Sequence, residues 1–215
     1  MRIVTLNTWK CDGDYARRLV LMTEGLRELS ADVICLQECF IGGGANTAAS
    51  LAEALGMHAH VAPARRKLRD FDTRRVMSTS GLAILVRGPV TAVDVCALVA
   101  DPRDGQRVAQ RLDLTCQGAS LRVLNLHLTH LKGPAAEAVR TAQLVMALDW
   151  AKLGYDGGLV LAGDLNATAA DTALAPLALD PAPATFQGPR VGASDLCGLA
   201  IDHCILLRDG DWRVA

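Results

Sequence analysis

The sequence has no charge excess, no Cys-x-x-Cys pair, few aromatic residues and no long apolar run. Lys and Arg total 22 against 23 Asp and Glu, so no global field directs the chain to nucleic acid or to an anionic membrane. Any charge that binds phosphate must therefore be local. Aromatic residues make up 4% of the chain, so stacking platforms for single-stranded nucleic acid are scarce.

The seven cysteines are odd in number and scattered along the chain. This pattern favours small buried hydrophobes in a reducing compartment over zinc or redox chemistry, so we expect a cytoplasmic protein. No apolar run reaches the roughly 18 residues of a membrane span. The first apolar stretch, residues 1–6, is too short for a signal peptide. We therefore expect a monomer that does not insert into membranes.

With 215 residues and 51% hydrophobic content, the chain can bury the core of one domain. Apolar periodicity predicts a mixed order of strands and helices, which implies an α/β fold of large sheets covered by helices. The predicted strands lie at residues 1–6, 33–36, 57–61, 82–86, 90–99, 108–116, 121–126, 159–162 and 200–207, and the predicted helices at 15–29, 47–55, 134–153 and 168–179.

Two details of this prediction concern surfaces. Helical spacing places Val139, Ala142, Met146 and Trp150 along one side of the third helix. The polar and basic residues 63–79 favour a surface loop. The loop contains six basic and two acidic residues between positions 65 and 75. It is either a solvated surface or a local field that attracts phosphate groups beside a cleft.

The segment Gly163-Asp164-Leu165-Asn166 follows the buried strand at residues 159–162. The glycine allows a tight turn that aims the next side chains outward. Asp164 and Asn166 share a face of an extended chain because they lie two residues apart. Such a pair is either an Asx turn that ends the strand or a site of chemistry.

Other polar residues also follow predicted strands. They are Asn7, Glu38, His127 and Asp202. Taken singly, Glu38 is typical of a solvated cap and His127 of a satisfied core imidazole. Together with Asp164 and Asn166 they supply what metal-assisted phosphoryl chemistry needs.

Magnesium prefers oxygen ligands and retains several waters, so one or two carboxylates with an amide can hold it. Glu38 and Asn7 fit that role. Asp164 with Asn166 could orient a water molecule for attack on a phosphate. His127 could neutralise the charge that grows on the phosphoryl oxygens.

Six segments carry these residues in a specific order. They are Leu6-Asn7-Thr8-Trp9, Leu36-Gln37-Glu38, Ser80-Gly81-Leu82-Ala83-Ile84-Leu85, Asn125-Leu126-His127-Leu128, Gly163-Asp164-Leu165-Asn166 and Ile201-Asp202-His203. Over essentially its whole length the chain resembles the endonuclease/exonuclease/phosphatase superfamily, in which such motifs occur in this order. That superfamily includes deoxyribonucleases, abasic-site endonucleases, sphingomyelinases and inositol polyphosphate phosphatases.

The resemblance implies a four-layer α/β/β/α sandwich with a divalent cation, Mg²⁺ or Mn²⁺, in a cleft at the strand ends. It implies that Glu38 is the principal metal ligand and Asn7 its neighbour. Asp164 and Asn166 would orient the nucleophilic water and the phosphate. His127 would contact the scissile phosphate or protonate the leaving group. The substrate would be a phosphate ester on nucleic acid, phospholipid or a small molecule.

The resemblance is incomplete near the C-terminus, where family members carry an Ile-Asp strand and then a Ser-Asp-His motif that holds a general base. Asp202 matches the first of these, so we expect it to be the orienting acid. We expect His203 to be structural, because neighbours on a strand face opposite sides. Ser194-Asp195 is followed by Leu196 and does not replace the second motif.

The missing motif leads us to expect a C-terminally truncated chain that retains the metal site, lacks its base and leaves a sheet edge open. Two functions follow as alternatives. One is a Mg²⁺-dependent phosphoesterase acting on diesters or monoesters. The other is a non-catalytic remnant that binds phosphate or metal.

Overall fold

Eleven strands and four helices form the described part of the chain, which in this computed structural model comprises residues 1–116, 118–178, 185–187 and 200–208. The strands are β1 (Ile3–Asn7), β2 (Val33–Gly42), β3 (Ala45–Asn46), β4 (His58–Phe71), β5 (Arg74–Val86), β6 (Val90–Leu98), β7 (Arg107–Cys116), β8 (Ala119–His127), β9 (Gly158–Asp164), β10 (Thr185–Gln187) and β11 (Asp202–Arg208). The helices are α1 (Tyr15–Leu29), α2 (Thr47–Leu55), α3 (Pro134–Lys152) and α4 (Ala175–Ala178), with a 3₁₀ turn at Thr172–Leu174 before the last.

The strands form two mixed sheets. The first has the order β1-β2-β5-β4, with β3 beside β2, and the second has the order β10-β11-β9-β8-β7-β6. Strands β1 and β2 are parallel, as are β8 and β9, and the other pairs are antiparallel. Each parallel pair is joined through a helix, α1 or α3, as a crossover connection requires.

Three apolar layers separate the four layers of structure. Residues such as Cys35 and Ile84 of the first sheet meet Val123 and Ala162 of the second between the sheets. A second layer packs α1 and α2 against the outer face of the first sheet. A third packs α3 and α4 against the outer face of the second sheet. The expected α/β/β/α sandwich is therefore confirmed.

The first two helices each begin at a side-chain cap. Asp14 accepts a hydrogen bond from the Arg17 backbone N–H at 3.0 Å, and Asn46 accepts one from that of Ala49 at 3.1 Å. Both satisfy amide groups that a helix leaves unpaired at its start. The helix predicted for residues 168–179 is shorter, and residue 179 lies outside the described part. No helix in that part is long and apolar enough to cross a membrane.

The predicted apolar side of α3 is wrong. Ala142 and Met146 are exposed, whereas Leu144 and Ala147 are buried against the second sheet together with the polar Arg140 and Gln143. Arg140 and Gln143 bind backbone groups of the neighbouring loops, which offsets the cost of burying them. The periodicity was misleading because the buried face includes two polar residues.

The surface loop predicted for residues 63–79 is also wrong, since these residues form the long β4–β5 hairpin. The turn lies at Asp72, which has a positive φ of 57°. Arg69 is buried on this hairpin and donates to the Ser78 and Ser80 hydroxyls at 2.8 and 2.7 Å. The sequence did not predict these strands because polar residues occupy both faces of the hairpin near its tip. No alternation of apolar and polar residues is therefore visible there.

Buried hydrogen bonds of Asn125 and Gln37 join the two sheets, close to the strand ends that carry His127 and Glu38. The Asn125 amide of β8 donates to the backbone carbonyls of Leu36 and Ala83 in the first sheet, at 3.1 and 3.0 Å. Its oxygen accepts a hydrogen bond from Gln37 at 2.8 Å. Asn125 and Gln37 are fully buried, so water cannot replace these bonds.

We expect Asn125→Ala to lower the free energy of unfolding by about 2–4 kcal/mol, because it leaves buried polar groups of the first sheet unpaired. Chemical denaturation followed by circular dichroism measures the change. Glu28→Ala, at an exposed position of α1, is the control and should alter the stability by less than about 0.5 kcal/mol. An equally small effect of Asn125→Ala would show that the hydrogen bonds of Asn125 do not stabilise the fold.

Candidate active site

A row of three polar side chains lies across neighbouring strand ends of the second sheet. His127 of β8 is the register partner of Asp164 in β9, and Asp164 is the partner of Asp202 in β11. These residues continue the strand faces of Val123, Ala162 and Cys204, which lie between the two sheets. The row therefore lies at the edge of the sandwich where the strands β8 and β9 end.

Asp164 links this row to the first sheet. Its Oδ2 accepts a hydrogen bond from the Asn7 amide at 2.8 Å and lies 3.6 Å from His127 Nε2, which is too long for a hydrogen bond. Its Oδ1 accepts the backbone N–H of Asn166 at 2.9 Å. The same carboxylate therefore closes the Asx turn and faces Asn7 and His127, so the turn does not exclude a site at this position.

The role expected for Gly163 is wrong. It lies within β9 with no positive φ, and a Cβ atom there would come within 2.1 Å of the Leu126 carbonyl oxygen. The glycine therefore permits close approach of β8 and β9 rather than a turn. This contact brings the His127 and Asp164 strand ends together.

Glu38 lies in a β-bulge of β2 rather than at the end of the strand. The register shifts between Leu36 and Cys39, and Glu38 has a φ of 56°. Leu36 and Cys39 both pack on the helical side, so two residues, Gln37 and Glu38, lie between them. The bulge re-aims the carboxylate of Glu38, which lines the same cleft as His127.

Lys10, which was not predicted from the sequence, forms an ion pair with the Glu38 carboxylate. Lys10 Nζ donates to Glu38 Oε2 at 2.6 Å, and the Lys10 backbone N–H donates to the Glu38 carbonyl at 3.2 Å. Trp9 and Lys10 both have positive φ, and Arg18 donates to the Lys10 carbonyl at 2.9 Å. These hydrogen bonds hold the turn after β1 in a conformation in which the Lys10 ammonium contacts the Glu38 carboxylate.

Burial shifts the protonation equilibria of the two central groups in opposite directions. Burial raises the pKa of Asp164, with the charge of Glu38 adding to it against the hydrogen bonds from Asn7 and Asn166. Burial lowers the pKa of His127 well below its usual range, and the charges of Arg107 and Lys10 add to the effect. His127 is therefore a neutral imidazole at neutral pH.

The remaining predicted residues differ in their contacts and burial around Asp164 and His127. His203 is buried, with Nε2 at 2.8 Å from the Ala167 carbonyl oxygen, and it faces the helical side like Ile205, on the strand face opposite that of Asp202. Asn166 donates to the Leu128 carbonyl at 3.0 Å and lines a neighbouring depression. Asp202 is half-buried beside Asp164. Ser194 and Asp195 lie outside the described residues.

Basic side chains also line the cleft, and most of them were not predicted. Arg107, which begins β7, donates to both oxygens of Asp104 at 2.9 and 2.7 Å and to the His127 carbonyl at 3.3 Å. His130 and Arg65 line the same cleft. His130 was visible in the sequence as the second histidine of the His-x-x-His segment, whereas no sequence pattern marks Asp104 in its turn or Arg107 at the start of β7.

The donor chemistry of the cleft fits a magnesium ion. Within the described ranges no three His, Cys, Asp or Glu side chains converge on one point. Magnesium needs fewer protein ligands, because it keeps several waters. The Glu38 carboxylate and the Asn7 amide oxygen are oxygen donors with remaining lone pairs. Among the residues that the structure describes, the Asn7 oxygen accepts one hydrogen bond, from the Trp9 backbone N–H at 2.9 Å.

Residues 4–214 match the family model described as the Endonuclease/Exonuclease/phosphatase family. The chain belongs to this family, whose members hydrolyse phosphate esters. No curated protein matches the sequence significantly.

Solved structures show the same fold at low sequence identity. A family protein from Leptotrichia buccalis is 15% identical, with a TM-score of 0.68 over 97% of this chain and 88% of the other. The human Nocturnin catalytic domain with bound sulfate is 17% identical, with a TM-score of 0.70 over 97% and 82%. A mannosyl-6-phosphatase from Bacteroides thetaiotaomicron is 17% identical, with a TM-score of 0.68 over 95% and 84%.

We expect Asp104→Asn to destabilise the protein by about 3 kcal/mol at neutral pH, because it leaves Arg107 without its buried partner. Burial alone would raise the pKa of Asp104, but hydrogen bonds from Arg107 and Thr129 and nearby positive charges lower it overall. The stabilisation should therefore be complete above the unfolded Asp pKa of about 3.9 and decrease as the pH falls below it.

Urea unfolding of both proteins between neutral and acidic pH measures this difference. Asp149→Asn, at an exposed position of α3, is the matched control and should show little difference from the wild type at any pH. A stability gap for Asp104→Asn that stays constant down to the acid limit would contradict the assignment.

Proposed function

We propose that this protein hydrolyses phosphate esters with a divalent cation, Mg²⁺ or Mn²⁺, bound at Glu38 and Asn7. The observation that supports it best is the convergence at one edge of the sandwich. There the hydrogen bond from Asn7 to Asp164 joins the two sheets, and Glu38 and His127 line one cleft. Membership of the family makes phosphate esters the substrate class.

A cation bound there would polarise a phosphoryl oxygen and neutralise charge in the transition state. In this proposal Asp164 accepts a hydrogen bond from the attacking water and so orients it. Asn166 holds Asp164 through its backbone N–H, and Asp202 lies beside it on the next strand. Neutral His127 suits direct contact with the phosphate as a hydrogen-bond donor better than proton transfer.

The basic side chains of the cleft agree with an anionic substrate. Lys10, Arg65, Arg107 and His130 line the cleft together with the apolar Ala64, Leu82 and Val108. Two structural neighbours are named for a related anion or activity, a Nocturnin domain with bound sulfate and a mannosyl-6-phosphatase. We propose a phosphate group on a nucleic acid, a phospholipid or a phosphorylated small molecule as the ligand of these basic side chains.

One observation favours the second candidate function, a non-catalytic remnant that binds phosphate or metal. The Lys10 ammonium lies 2.6 Å from Glu38 Oε2, where it competes with a cation for the carboxylate. In this alternative the cleft still binds an anion, but no ester is cleaved.

We expect metal-dependent turnover of bis-4-nitrophenyl phosphate, 4-nitrophenyl phosphate or plasmid DNA that chelator abolishes. Glu38→Gln and Asp164→Asn should each reduce the rate by about 10²-fold or more, because they remove a charged cation ligand and the group that orients water. Initial rates with and without Mg²⁺ measure both effects. Glu28→Gln, on the exposed side of α1, is the matched control and should leave the rate unchanged.

The same proteins separate the two candidates. Magnesium binding in calorimetry without turnover of any of these substrates would support the remnant. Turnover that persists in chelator or in Glu38→Gln would contradict the proposed metal site.

We expect Lys10→Met to tighten Mg²⁺ binding by about fivefold or more, because it removes a competing positive charge from Glu38. Isothermal titration calorimetry measures the affinity without requiring turnover. Lys152→Met, at the end of α3, should leave the affinity unchanged. Weaker binding by Lys10→Met would show that the lysine supports the metal site rather than competing with it.

A further inference from the structure

A buried arginine of the β4–β5 hairpin lies next to the cleft without a carboxylate partner. Arg69 is 6% exposed and forms no ion pair among the described residues. Its guanidinium donates to the hydroxyls of Ser78 and Ser80, and its Nε is buried with no hydrogen-bond partner in the described part of the chain. A buried charge that is satisfied by neutral groups alone would be stabilised further by an anion nearby.

The two serines that Arg69 contacts differ in the use of their hydroxyl hydrogens. A serine hydroxyl donates one hydrogen bond and accepts up to two. Ser78 Oγ accepts from Arg69 at 2.8 Å and donates to the Lys67 carbonyl at 3.2 Å. Ser80 Oγ accepts from Arg69 at 2.7 Å, and no group of the described residues accepts its hydrogen. The Ser80 hydroxyl therefore retains a hydrogen for a ligand.

This hydroxyl belongs to the cleft of the candidate active site. Ser80 lines the cleft together with Glu38, and so does Leu82, which lies two residues further on the same face of β5. Ser78 is not among the described residues that line it. The available hydrogen of Ser80 is therefore within reach of a molecule in the cleft, whereas the hydroxyl of Ser78 is not.

Arg69 makes the Ser80 hydroxyl better suited to an anion than to a cation. The hydrogen bond from the guanidinium occupies a lone pair of Oγ and polarises the hydroxyl, which strengthens it as a donor. The positive charge behind Oγ would repel a cation placed on the same oxygen. Burial lowers the pKa of Arg69, so an anion bound nearby would stabilise the charged guanidinium.

We propose that the Ser80 hydroxyl binds a phosphoryl oxygen of the substrate and that Arg69 is its positioning residue, an inference that rests on the proposed phosphoesterase function. The hydroxyl donates its hydrogen to the phosphoryl oxygen. The guanidinium holds Oγ in place and offsets part of the negative charge from behind. The first sheet thus contributes a phosphate contact that is separate from the proposed cation ligand Glu38.

Isothermal titration calorimetry with inorganic phosphate, in the presence of chelator, measures this contact without metal or turnover. Ser80→Ala should weaken phosphate binding by about tenfold or more, because it removes one hydrogen bond to an anion. Ser80→Thr keeps a hydroxyl and should bind phosphate about as tightly as the wild type. Ser78→Ala is the matched control, since it also removes a hydroxyl bonded to Arg69, and it should leave the affinity unchanged.

A double-mutant cycle tests the role of Arg69. Arg69→Met should also weaken phosphate binding, because the hydroxyl loses the group that holds and polarises it. The loss in Arg69→Met/Ser80→Ala should be clearly smaller than the product of the two single losses, since both variants act on one contact. Losses that multiply would show that Arg69 does not act through Ser80.

Circular dichroism verifies folding. Ser80→Cys, whose thiol is a weak donor, and Arg69→Lys, whose ammonium lacks the planar fork, replace variants that fail to fold. Unchanged binding by Ser80→Ala, an equal loss in Ser78→Ala, or a wild type that binds no phosphate would overturn the inference. Phosphate binding that depends on Ser80 without turnover of any ester would support this contact and contradict the proposed hydrolysis.

Discussion

The buried amide pair of Asn125 and Gln37 is the constraint on which the site depends. It joins the two sheets in a mainly apolar layer, where the buried Gln110 of β7 also donates to the His60 carbonyl of β4, and fully buried amides need partners at fixed positions. Two residues further along β8 comes His127, and next to Gln37 comes Glu38. This polar bridge therefore lies directly beside candidate site residues in both sheets.

Local backbone distortion then aims the side chains that this bridge positions. The bulge in β2 turns Glu38 toward the cleft with a left-handed backbone, which is costly for a residue with a side chain and persists only where the surroundings hold it. The close contact at Gly163 draws β9 against β8. The backbone is therefore strained at Glu38, whereas next to Asp164 a glycine permits the close strand contact without strain.

The cleft brings groups of both signs together. Glu38 and Lys10 form an ion pair there, and the neutral imidazole of His127 lines the same cleft. Arg107 and His130, which also line it, lie against the buried carboxylate of Asp104. A phosphate ester in the cleft would meet hydrogen-bond donors close to groups suited to a cation and a water. This arrangement agrees with the proposed function.

The sequence alone determined the order of most strands and helices, the sandwich class and the strand-end residues, because apolar periodicity and short motifs are local signals. It missed the β4–β5 hairpin and the buried side of α3, since polar residues there are satisfied by partners distant in the chain. Only the tertiary structure decided that Lys10 meets Glu38 and that Asp104 holds His130. Both contacts join side chains across sheets and turns, where no spacing in the sequence predicts a distance.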